Sequence, residues 1–149
     1  MRIVNESAER IESLKAGTVS ALSLALVESV IAVGNSLVLA EFERFTALHM
    51  TTAVDWLGRI AIAFISGFLF GITYRYVIRD DENSHLKDGA VLAFGLVRGL
   101  APVEVEQNLL DTFWLLGVLS LESIVCFLVA RFTLDWAFHR HWIKPLKSS

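Results

Sequence analysis

Three ionisable residues stand inside long apolar stretches of this chain: Glu28, Arg98 and Glu122. Arg98 closes an uncharged run from Gly89 to Val97, and the acids are enclosed in the same way. In an apolar medium a lone charge costs about 2.5–3.5 kcal/mol on insertion scales, so opposite charges at one depth should meet. The guanidinium of Arg98 can serve two carboxylates with paired N–H donors, which predicts that it bridges Glu28 and Glu122. Such a cluster carries a formal charge of −1. That leaves room for a shared proton, a bound cation or a polar ligand. Three roles follow: glue between helices, a proton or ion pathway, or an anchor for a lipid, pigment or partner subunit.

The elements that must position these residues are read from the apolar blocks Ala16–Leu39, Trp56–Tyr76, Gly89–Val103 and Phe113–Ala130. A membrane-spanning helix needs about 20 mostly apolar residues, and a helix satisfies its own backbone in lipid. The fold class is therefore all-α, a four-transmembrane-helix bundle forming one domain over 1–149, with spans at about 15–40, 54–78, 86–104 and 111–137. The third block is short. A soluble bundle would need polar outer faces, and Val19, Leu22, Leu26, Val30, Val33 and Leu37 leave the first helix none. At about 1.5 Å per residue from Asp88, Arg98 lies about 15 Å deep, and Glu28 and Glu122 reach a similar level.

Helical periodicity places Gly17, Ala21, Ala25, Glu28, Ala32 and Asn35 on one face of the first span. Small residues there admit a neighbouring backbone, and Asn35 offers a further interhelical hydrogen bond. Gly67 and Gly71 in the second span, and Gly95 and Gly99 in the third, form GxxxG pairs suited to close helix packing. Asp55, Arg59, Ala63, Ser66 and Phe70 share a face of the second span. The i,i+4 spacing of Asp55 and Arg59 predicts a pair near the outer surface.

Basic residues set the orientation. Arg2, Arg10 and Lys15 precede the first span, Arg75, Arg79 and Lys87 separate the second and third, and Arg140, Lys144 and Lys147 follow the fourth. The other two connections are poor in them. Lys and Arg bias short loops to the cytoplasmic side, which places both termini in the cytoplasm. Trp56, Tyr74, Tyr76, Trp114, Trp136 and Trp142 lie near block ends, as interfacial aromatics do. The first helix is expected to be retained, because Met1–Lys15 carries three glutamates and the run that follows exceeds a signal h-region. "LKAGTVSALSLAL" from Leu14 resembles "LKDGAVLAFGLVR" from Leu86, which suggests a parallel repeat of two helical hairpins.

Other chemistries find little support. His49, His85, His139 and His141 fall at or outside the span ends, away from any haem inside the bundle. No H-E-x-x-H or G-x-S-x-G motif occurs, and "HRH" at His139 lacks a third metal ligand, so no metal site is expected. "DGAVLAF" at Asp88 begins like the motif of lipid-head-group transferases and then departs from it. Cys126 is the single cysteine, so no intrachain disulfide forms, and a net charge of −3 argues against nucleic acid.

The stretch "HLKDGAVLAFGLVRGL", with four spans and cytoplasmic ends, resembles a group of small uncharacterised integral membrane proteins of cyanobacteria with relatives in plastids. The resemblance implies a plasma or thylakoid membrane location and brings no activity or cofactor with it. The residues point to a non-enzymatic protein that acts by binding. It would be an accessory, assembly or stabilising factor for a membrane complex or a lipid-soluble cofactor, with the bilayer, other membrane subunits or its own copies as partners. The alternative is an oligomeric proton- or ion-coupled transporter or channel using Glu28, Arg98 and Glu122.

Overall fold

The structure, a computed structural model, describes residues 2–38, 52–78, 83–101 and 109–146. They form four helices: α1 (Arg2–Val38), α2 (Ala53–Ile78), α3 (Ser84–Leu100) and α4 (Leu109–His139). Three of the helix ends have a local cause on display. Thr52 and Asp55 form a reciprocal capping box at α2: the Asp55 N–H donates to Thr52 Oγ1 at 3.2 Å, and the Thr52 N–H donates to Asp55 Oδ2 at 3.1 Å. Asn83 caps α3 by accepting from the His85 N–H at 3.1 Å. At the end of α4 the N–H groups of His141 and Trp142 donate to the carbonyls of Phe138 and Ala137, both at 3.0 Å, while His141 adopts a left-handed φ of 58°. This is a Schellman stop with histidine where glycine is usual.

The helices run up and down. Contacts between α1 and α2 pair Glu28 with Arg59 at one level and Glu9 with Arg75 at another, so the two are antiparallel. Asp88 meets Arg131 while Gly99 meets Ser120, which makes α3 and α4 antiparallel as well. α1 packs on α2 and α4, α3 packs on α4 and α2, and α1 and α3 stand at opposite corners.

Three helices are long and apolar enough to cross a membrane: α1 over Glu6–Val38, α2 over Ala53–Ile78 and α4 over Thr112–His139. α3 differs from expectation. Its 17 residues span about 25 Å, short of the ~30 Å of a hydrocarbon core. α1 also differs, reaching back to Arg2 instead of starting near residue 15. Its added turns are engaged by Arg75, as described below.

The interior is an aromatic and small-residue core of Phe70, Tyr74, Phe127, Leu24, Ala63 and Leu134, all fully buried. Phe94 joins Phe70 and Phe127 with ring centroids 5.4 and 5.7 Å apart. Outward faces are apolar: Leu22, Leu26, Val30, Leu57, Val97 and Leu121 each expose more than half their surface. Exposing so many branched side chains to water would be unfavourable, and lipid removes that cost.

The glycines set the helix spacing. A methyl group on Gly67 would come within 2.9 Å of the Ala21 Cα, and Gly71 lies against the Ala16 carbonyl. Gly95 faces Ile124 and Gly99 faces the Ser120 backbone in the same manner, while Gly17 abuts the Phe68 ring. The two hairpins α1–α2 and α3–α4 share an orientation, yet their packing does not repeat. The close-packed glycines lie on the second helix of one hairpin and on the first of the other. Gly89, the counterpart of Gly17 in the matched stretches, meets open space.

Candidate functional site: a polar cluster shared by four helices

All four helices send a polar side chain to one level. α1 supplies Glu28 and Asn35, α2 supplies Arg59, α3 supplies Arg98, and α4 supplies Glu122 and Cys126. Glu28 is at the centre, 1% exposed. One of its oxygens accepts from Arg59 Nε. The other is 3.1 Å from Arg98 Nη2 and accepts from the Cys126 thiol at 3.5 Å. Glu122 accepts from Arg59 Nη2 at 3.3 Å and from Asn35 Nδ2 at 2.8 Å. Glu122 lies midway along α4 between Phe113 and Arg131, about 14 Å from each.

The cluster joins Glu28, Arg98, Glu122 and Asn35 as the spacing predicts, but with different pairings. Arg98 binds Glu28 alone, and it is Arg59 that bridges the two acids. The expected outer-surface pair of Asp55 and Arg59 is replaced, because Arg59 turns inward from α2 while Asp55 engages Thr52 at the helix start. Geometry decides this: Arg59 belongs to the face that also buries Ala63 and Phe70, so its side chain enters the bundle. That shared face was the signal in the sequence. With a second guanidinium present, two acids meet two bases, and the formal charge is zero instead of −1. The electrostatic motive for an added proton or cation falls away.

Arg59 and Arg98 therefore differ in what they hold. Arg59→Lys removes a fork that serves two carboxylates, whereas Arg98→Lys replaces one contact with another. Arg59→Lys should lower stability in detergent by about 1.5–3 kcal/mol, and Arg98→Lys by less than half of that, when melting is followed by helix content. Equal losses would assign the bridge wrongly.

A second polar layer lies at the opposite end of the core, and sequence reasoning missed its main element. Arg75, taken as a flanking basic residue, is 1% exposed. Its guanidinium meets the Glu9 carboxylate, donates to Ser13 Oγ at 2.6 Å and the Glu9 carbonyl at 3.1 Å, and reaches the Lys144 carbonyl at 2.9 Å. The Lys144 N–H in turn donates to Glu12 at 2.8 Å. Glu9 and Ser13 are i,i+4 neighbours on α1, the spacing that could have revealed this face. Beside it, the Tyr74 hydroxyl donates to Asp135 at 2.8 Å, Lys87 lies 3.6 Å from the same carboxylate, and Arg131 joins Asp88 and Asp135.

Among the described residues, no three of His, Cys, Asp or Glu gather as a metal site. His85 lies in the first turn of α3, and His139 and His141 lie at the end of α4; His49 is outside the described residues. What the main cluster does chemically is hold buried charge in balance and fix the helices against one another. No family model, no curated protein and no solved structure matches this chain.

Proposed function

We propose that the chain is an integral membrane protein that works by binding, as an accessory, assembly or stabilising factor for a larger membrane complex or a lipid-soluble cofactor. The observation that carries this reading is the charge-balanced cluster of Glu28, Arg59, Arg98 and Glu122, drawn from all four helices and enclosed by apolar outer faces. Paired charges inside a bundle specify which helices meet, and in lipid they are tolerable only when paired. A pathway needs charges that exchange partners, and here each acid is already held by a guanidinium.

α3 is assigned as the fourth, shorter span, sheltered between α2 and α4. Both termini are assigned to the cytoplasm. Among the described residues Lys15, Arg75, Lys87, Arg131, Arg140 and Lys144 crowd the end of the bundle where α1 begins and α4 ends, while Arg59 and Arg98 in the other half are turned into the cluster. That distribution is the positive-inside pattern.

The test combines two readouts. Protein purified in mild detergent should migrate within a larger assembly by native mass spectrometry, and proteoliposomes of the wild type should pass protons and alkali cations no faster than empty vesicles. Wild-type flux that disappears in folded Glu28→Gln or Glu122→Gln protein would overturn the binding role in favour of a transporter.

A further inference from the structure

We propose that the cavity at the basic end of the bundle binds the phosphate of a phospholipid headgroup. The inference rests on the membrane reading above but uses residues outside the polar cluster. The cavity has a volume of about 460 Å³ and lies between the end of α2, the start of α3 and the end of α4. Its walls are Ile78, Lys87, Asp135, Phe138, His139 and His141, with Pro145 at the rim. Three of these side chains can donate to phosphate: the Lys87 ammonium and the two imidazoles.

Among the described residues Asp135 is the one acid in the wall, and its charge is answered from within the protein. One oxygen accepts from the Tyr74 hydroxyl at 2.8 Å and the other lies 3.7 Å from Arg131 Nε. Lys87 is 3.6 Å from it, a distance that leaves most of the ammonium's donors for a ligand. The acid therefore holds Lys87 at the wall without consuming it.

The backbone supplies an independent indication. His141 occupies the left-handed position of the α4 stop at φ 58°, where glycine would sit without strain. A side chain kept at such a position, and lining a cavity beside another histidine, is the kind of outlier that marks binding sites. The depth also fits. Trp136 and Trp142, chain neighbours of the wall residues Asp135 and His141 and both about half exposed, pack edge to face at 4.9 Å, and Arg140 lies over the Trp136 ring at 5.6 Å. Tryptophans of this kind mark the headgroup level. Ile78 and Phe138 offer an apolar wall for the upper acyl chains.

The experiment uses the full chain in mixed micelles holding equal amounts of phosphatidylglycerol and a phosphate-free galactolipid, with retained lipid counted by native mass spectrometry. Wild type should keep the phospholipid. The triple variant Lys87→Ala, His139→Ala, His141→Ala should retain about tenfold less, the loss of about one charge-assisted contact, while His85→Ala, outside the cavity, should retain it fully. His141→Gly separates binding from packing: it should melt higher because the strain is relieved, yet hold less phospholipid. Millimolar inorganic phosphate distinguishes the source. Displacement of the lipid by it assigns the site to soluble phosphate, and persistence assigns it to the headgroup. A folded triple variant that retains phospholipid like wild type, or a wild type indifferent between the two lipids, overturns the cavity. A chain that does not enter micelles or vesicles overturns the membrane reading as well.

Discussion

Glu28→Ala should lower stability in mild detergent by about 3–5 kcal/mol, the cost expected when one partner of a buried ionic group is removed and the others stay. Among the described residues Glu28 is the only acid in contact with Arg98 and one of two that hold Arg59, and at 1% exposure no solvent replaces it. Its loss strands a guanidinium whose Nε is already buried without a hydrogen-bond partner among the described residues. Glu122→Gln is the comparison. Glutamine keeps one oxygen, enough for Asn35, and gives up the longer contact to Arg59, so its cost should be about 1–2 kcal/mol. Unfolding by denaturant titration with tryptophan fluorescence measures both. A Glu28→Ala loss no larger than that of Glu122→Gln would mean the cluster does not hold the helices together.

The second large effect concerns the α1–α2 seam. Gly71→Val should separate these helices, with a loss of about 3 kcal/mol or failure to accumulate. The position lies on the Ala16 carbonyl and next to the Ser20 Cβ, and backbone cannot rotate out of the way as a side chain can. Gly34→Ala and Gly117→Ala serve as opposites. Both face open space within helices, so alanine should add about 0.5–1 kcal/mol through lower backbone entropy in the unfolded chain. If Gly71→Val were tolerated as well as these, the close approach of α1 and α2 would be unimportant to the fold.

What the sequence made legible follows the range of each physical rule. Helical periodicity is local: of the face it grouped on α1, Gly17, Ala21, Glu28, Ala32 and Asn35 are buried and Ala25 is half-buried, while Leu22, Leu26, Val30, Val33 and Leu37 lie outside and Val19 packs on the core. The same rule placed Arg59 with Ala63 and Phe70. The competing local rule, an i,i+4 partner in Asp55, was given precedence there and failed. In an apolar bundle an arginine gains more from two buried carboxylates on other helices than from one exposed acid on its own. Arg75 was missed for a related reason. A basic residue at the end of an apolar block ordinarily faces headgroups, and only the three-dimensional convergence of Glu9, Ser13 and Lys144 on its guanidinium makes it an interior group. Partners separated by more than sixty residues carry no periodic signature. The brevity of α3 was legible as a short apolar block, and its 17 residues fall short of the span expected over 86–104.

The grip of Arg75 makes a clasp of the stretch that follows α4. Its guanidinium, carried on α2, needs both Glu9 from α1 and the Lys144 carbonyl beyond the end of α4. Until residue 144 docks, an arginine destined for the interior has an incomplete coordination sphere, and Ile143, 1% exposed in the finished fold, has no bed to fill. That end of the bundle is sealed by this docking, so cleavage between His139 and Lys144 should leave it open.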